Sequence, residues 1–164
     1  MSKRELKKYL HTLEKKQLEE QILDLYERFK DVKVYYNFVF NPREDKLLEE
    51  CKYKIGKEYF PLGRRKPKAR RSVAQKYIRH FIQLGVEPLL VAEVMLFNLE
   101  TAQAYSAQKY IRQDGFFTSM LKSFQDARTY IGEHGLMERF HPRLKAIADA
   151  AWEQEWFNRA AFEV

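Results

Sequence analysis

Pro88 to Glu100 reads P-L-L-V-A-E-V-M-L-F-N-L-E, and this stretch decides the fold. Proline is accommodated in a first helical turn, where its missing N–H would have no partner anyway, so Pro88 opens a helix. From Leu89 to Leu99 the run is apolar apart from Glu93 and Asn98. A helix that is apolar almost all round has no face left for water and belongs at the centre of a domain. Leu96 and Phe97 are therefore expected core residues. The run is also far short of the ~18 apolar residues that a membrane span requires.

Working back from this helix, Val73, Tyr77, Phe81 and Leu84 form a helical stripe that Gly85 closes and Pro67 is placed to open. Before it lies the basic stretch G-R-R-K-P-K-A-R-R, Gly63 to Arg71. Leu48, Cys51, Ile55 and Tyr59 form an earlier stripe, for which Asn41-Pro42-Arg43-Glu44 supplies a helix start and Pro61-Leu62-Gly63 an end. Working forward, Phe117, Leu121, Phe124, Ala127 and Ile131 follow the helical period from Asp114 as N-cap to Gly132–Gly135. Pro142 is expected to begin a final helix with Leu144, Ile147, Ala148, Ala151 and Trp152 on one face.

The opening residues carry a capping box, Ser2 with Glu5, ahead of Leu6, Leu10 and Leu13. Leu18, Ile22, Leu25 and Phe29 make a second stripe, and the short link at Thr12–Lys16 pairs the two helices as a hairpin. In Asp31 to Phe40, D-V-K-V-Y-Y-N-F-V-F, the apolar residues alternate with a strand period. Asp31 can equally cap a short helix. A lone strand would find no partner elsewhere in the chain, which favours the helix. The expected fold is all-α, with seven to eight helices packed as consecutive antiparallel hairpins in a single domain over residues 1–164. Within it, residues 1–62 form a basic N-terminal helical part, 63–67 a basic connection and 68–164 the helical core.

At 164 residues, 45% apolar and 15% aromatic, the chain has the means to build a proper core. A disordered chain would be poor in aromatics. Cys51 is the single cysteine, so no internal disulfide forms and nothing suggests an oxidising compartment. The charged start, M-S-K-R-E-L-K-K, lacks a signal-peptide core, and the expected location is cytoplasmic, with no membrane partner. The net charge of +7 is uneven. Residues 1–82 hold 22 Lys+Arg against 12 Asp+Glu, a balance of +10, and residues 83–164 hold 8 against 11, a balance of −3. Such asymmetry suits a polyanion partner for the basic half, or mutual attraction of the two halves.

The opening S-K-R-E-L-K-K-Y-L, the segment I-L-D-L-Y-E-R-F, Val32-Lys33 with Tyr35-Tyr36, and Asn41-Pro42 carry a resemblance. Ala74-Gln75-Lys76-Tyr77-Ile78, Leu84-Gly85-Val86 and Ala92 through Glu100 extend it over most of the chain. Together they resemble a family of uncharacterised bacterial helical proteins, a domain of unknown function. The resemblance implies a helical bacterial protein and carries over no activity.

The sequence holds no phosphate-binding loop, nucleophile elbow, HExxH or paired CxxC. His11, His80, His134 and His141 are scattered, and Glu138-x-x-His141 is half of a unit that di-iron sites need twice, so neither a metal nor another cofactor is expected. No catalytic residue is assigned. Cys51 sits on an apolar stripe, where a free cysteine serves as a small core hydrophobe. Glu93 and Glu100, seven residues apart, share one face of the apolar helix. As a buried pair they could do acid–base work or bind a cation; otherwise they form a narrow solvated stripe or ion pairs with arginines of a neighbouring helix. Arg64, Arg65, Lys66, Lys68, Arg70 and Arg71 are six cations in eight residues with no acid among them; such a run is ordinarily a solvated loop or helix end, and it can also neutralise phosphates. Tyr59, Phe60 and Tyr77 flank them and could stack bases or fill the core. Three functions are thus compatible with the sequence. The first is a non-enzymatic helical interaction module with an unidentified protein partner. The second is a binder of nucleic acid or another polyanion through residues 64–71. The third is an enzyme built on Glu93 and Glu100.

Overall fold

The computed structural model describes residues 1–164 and is all-α. Eight helices run in the order α1 (Lys3–Leu10), α2 (Lys15–Arg28), α3 (Lys30–Phe40), α4 (Glu44–Tyr59), α5 (Arg71–Leu84), α6 (Pro88–Gln108), α7 (Asp114–Glu133) and α8 (Met137–Glu153), followed by a 3-10 turn at Arg159–Ala161. No helix is long and apolar enough to cross a membrane. The chain divides after Arg43 into two compact units.

The first unit, residues 1–43, holds α1 to α3. Its start is the capping box expected there: Glu5 N donates to Ser2 Oγ at 3.3 Å, and Ser2 N donates to Glu5 Oε2 at 2.6 Å. The stretch Val32–Phe40 is helical. α2 packs chiefly on α3, while α1 joins through the Gln21 side-chain amide, which donates to the Tyr9 hydroxyl. Tyr26, Tyr35, Tyr36 and Phe40 make a row of edge-on and stacked rings along this unit.

The second unit, residues 44–164, is built around α6. α4, α5, α7 and α8 all pack against it, and the consecutive pairs α4–α5 and α7–α8 also touch. Val91, Ala92, Val94, Leu96, Leu99 and Ala102 of α6 are fully buried. At this core, α4 brings Cys51, Ile55 and Tyr59, α5 brings Phe81, α7 brings Phe124 and Ile131, and α8 brings Leu144 and Ile147. Phe97 differs from expectation: it is only half-buried and lies 5.3 Å from the Lys52 ammonium. α4 thus belongs with the core, although the sequence groups it with the N-terminal part.

Four helix boundaries depart from the sequence expectation. Asn41 ends α3 rather than capping α4, which starts at Glu44. Glu44 has another task, since its carboxylate accepts from the amide of Glu87 ahead of α6 at 3.3 Å. Pro67 lies in an irregular segment, and α5 starts at Arg71. Pro142 does not open the last helix but sits inside it, and Asp114 is the first residue of α7, after an N-cap at Gln113. A proline inside a helix deletes one backbone hydrogen bond and costs ~3 kcal/mol. Phe140, 3% exposed, and Leu144, 0% exposed, bury on either side of Pro142 and offset that loss.

Candidate polyanion-binding face

The carboxylates Glu93 and Glu100 of α6 are ion-paired. Glu93 and Glu100 face Arg143 of α8. The Arg143 fork donates from Nε and Nη2 to the two Glu100 oxygens at 2.8 Å each, and from Nη1 to Glu93 Oε2. Lys52 of α4 donates to Glu93 Oε1 at 2.7 Å. Burial pushes the Glu93 carboxyl up, but the hydrogen bonds from Lys52 and Arg143 outweigh it and hold it below the usual carboxylate range. An acid–base catalyst at neutral pH needs the opposite shift from that of Glu93. The ion pairs of Lys52 and Arg143 with these carboxylates join α4, α6 and α8.

Cys51 is 1% exposed, and burial pushes its thiol up to about 12. His141 and Glu138 are both exposed on α8. His134 lies on the Tyr130 ring and bonds the Tyr130 carbonyl at 2.8 Å. No group of three or more His, Cys, Asp or Glu residues is placed to hold a metal ion.

The basic segment is held from the end of α4. Gly63, with φ of +71°, turns the chain after Pro61-Leu62. The backbone amides of Lys68 and Ala69 both donate to the Glu58 carbonyl at 2.9 Å. The Arg70 fork closes on the Glu58 carboxylate with two bonds of 2.9 Å. The hydrogen bond from Arg70 is the main reason the Glu58 carboxyl titrates below its usual range. Ala69 adopts φ of +48°, the left-handed region that an L side chain enters at a cost. Arg71 reaches α7, donating to Ser123 Oγ and Asp126 Oδ2 at 2.8 Å each.

Two of the six sequence-predicted cations, Arg70 and Arg71, are therefore committed to anchoring the segment. Arg64, Arg65, Lys66 and Lys68 are exposed and form no ion pair. The segment adjoins three clefts, all of which Pro67 lines. The largest, about 900 Å³, is lined by Lys54 and Lys57 of α4, by Arg65, Lys66 and Lys68, and by Val73 and Tyr77 of α5. A second, about 530 Å³, shares Lys68 and takes in Tyr105, Tyr110, Arg112 and the start of α7. A third, about 240 Å³, adds Phe60 and Lys109.

Lys54, Lys57, Arg65, Lys66, Lys68, Lys109 and Arg112 are thus seven cations without a carboxylate partner lining these clefts. Glu58 is the one acid lining the three clefts, and Arg70 already neutralises it. Four of the seven, Lys54, Lys57, Lys109 and Arg112, lie outside the basic run and carry no local signal of membership. Of the flanking aromatics, Tyr59 is core, 1% exposed and hydrogen-bonded to Asn98 at 3.1 Å, whereas Phe60 is exposed and Tyr77 half-buried. Tyr105 and Tyr110, brought in from the end of α6 and the loop after it, are not recognisable in advance.

Fold and surface together define a helical protein with a cation-rich cleft face set beside a tightly paired core. The chain belongs to a family of unknown function, DUF6155, whose family model matches residues 1–164. It matches no curated protein and no solved structure.

Proposed function

We propose that this chain is a non-catalytic binding module that engages nucleic acid, as a polyanion, through the cleft face around residues 64–71. One observation carries the reading: seven unpaired cations converge on three adjoining clefts whose only acid is already neutralised. Cations gathered without partners repel one another and destabilise the fold that gathers them. A phosphate backbone relieves that repulsion and releases its own counterions, which drives association without reading sequence. The paired state of Arg70 and Arg71 supports the same reading, because it presents the remaining cations on an anchored segment. Binding to a prearranged surface loses less conformational entropy than binding to a free loop.

The test replaces Lys54, Lys57, Arg65 and Lys66 together by Gln, leaving the Glu58–Arg70 anchor intact. Anisotropy of a labelled oligonucleotide is then titrated at ~50 and ~200 mM salt, the range over which phosphate contacts lose most of their affinity. The wild-type chain binds at the lower salt. The variant folds with an unchanged circular dichroism spectrum, binds at least tenfold more weakly, and has a log–log salt slope shallower by about 3. Equal binding by wild type and variant would remove the cleft from the account.

A further inference from the structure

The polyanion reading requires only charge, yet the same clefts carry aromatic rings that charge alone does not call for. Tyr110 is 89% exposed, on the wall of the 530 Å³ cleft. An aromatic ring left in water forgoes the burial that stabilises most of its kind. The Arg112 guanidinium lies 6.0 Å from its centroid. In the adjoining cleft, Phe60 is 41% exposed and meets Tyr105 edge-on at 6.0 Å, with Tyr105 lining both smaller clefts. Rings and unpaired cations therefore share two adjoining clefts: Arg112, Tyr110, Lys68 and Tyr105 line one, and Tyr105, Phe60 and Lys109 the other.

We infer that this face takes single-stranded nucleic acid, with phosphates on the unpaired lysines and arginines and bases stacked on Tyr110 and Phe60. The inference rests on the polyanion reading and adds the substrate class. A duplex hides the faces of its bases within the stack, so it offers the cations a backbone and the rings nothing. An unpaired strand offers both, and stacking on aromatic side chains tolerates any base. Adjoining clefts also suit a flexible strand, which can turn its bases in, better than a stiff rod.

The experiment compares three probes on the full chain at ~50 mM salt, where phosphate contacts are strong: a labelled 20-nucleotide single strand, the same sequence as a duplex, and inorganic polyphosphate as competitor. The wild-type chain is expected to bind the single strand at least tenfold more tightly than the duplex. Tyr110→Ala weakens the single strand by roughly tenfold, the ordinary loss for one stacked base. Tyr110→Phe restores binding, because the ring and not the hydroxyl does the stacking. Polyphosphate competes equally well against wild type and Tyr110→Ala. Phe60→Ala behaves like Tyr110→Ala. Equal affinity for duplex and single strand, or a single-strand affinity unmoved by Tyr110→Ala and Phe60→Ala, would overturn the stacking inference and leave the charge reading standing. Absence of binding to all three probes would overturn both.

Discussion

Replacing Arg143 by Met keeps the aliphatic stem and deletes the fork that holds Glu93 and Glu100. Three charge-assisted hydrogen bonds disappear. Glu93 keeps Lys52, while Glu100 is left without a partner. A fully buried pair broken this way costs about 3–5 kcal/mol and an exposed one about 0–1 kcal/mol. Arg143 is 32% exposed and Glu100 40%, so water repairs part of the loss, and about 2 kcal/mol is the expected cost. For a chain of this length that lowers the melting temperature by roughly 4–8 °C. Arg143→Lys retains the charge but not the bidentate geometry and recovers less than half of the loss. The pH dependence has a definite sign. Glu93 titrates below its usual range when folded, so its contribution is complete above the unfolded-state value near pH 4.3 and fades as pH falls through the lower folded value. Wild type and Arg143→Met should therefore differ most at neutral pH and converge in acid. Thermal unfolding followed by circular dichroism at pH 7 and at pH 3 reads both effects. A loss below about 0.5 kcal/mol at pH 7, or a gap that widens in acid, would refute the assignment of Glu93 and Glu100 to a structural clamp.

Other perturbations follow from the same structure. Leu96→Ala should cost about 2–5 kcal/mol in chemical unfolding, and Phe97→Ala distinctly less, because Leu96 is 0% exposed and Phe97 only half-buried; equal costs would contradict the orientation of α6. Ala69→Gly should fold at least as well as wild type, while Ala69→Val, a branched residue at φ of +48°, should lose about 1 kcal/mol or more; the reverse order would deny the left-handed conformation. Cys51 should resist alkylation at pH 8 until the chain unfolds, since it is 1% exposed and its thiol is pushed up to about 12; rapid labelling of folded protein would place it at the surface.

How much of this was legible in the sequence depends on how local each cause is. The Ser2–Glu5 box, Pro88 at the start of α6 and Gly85 in the left-handed conformation after α5 are contacts within a few residues, and each is readable directly. Pro142 misleads because the local rule forbids what the burial of Phe140 and Leu144 enforces. Asn41-Pro42 misleads because one short polar motif can end a helix as well as begin one. At the candidate site, the run from Arg64 to Arg71 announces its charge but not its partners. Arg70 is neutralised from 12 residues away and Arg71 from 55. Lys54, Lys57, Lys109 and Arg112 reach the same face only because α4, α5, α6 and α7 pack as they do. Chain separation of that kind leaves no periodic trace.

The most direct test of the polyanion-binding account is the salt dependence of wild-type binding to a single-stranded oligonucleotide. Seven cations meeting seven phosphates give a log–log slope of about −5, at roughly 0.7 per phosphate for a single strand. Anisotropy titrations at several salt concentrations between ~50 and ~200 mM measure it. A steep slope near that value is the predicted result. No binding at ~50 mM salt, or a slope shallower than about −1, would contradict the claim that this face exists to hold a phosphate backbone.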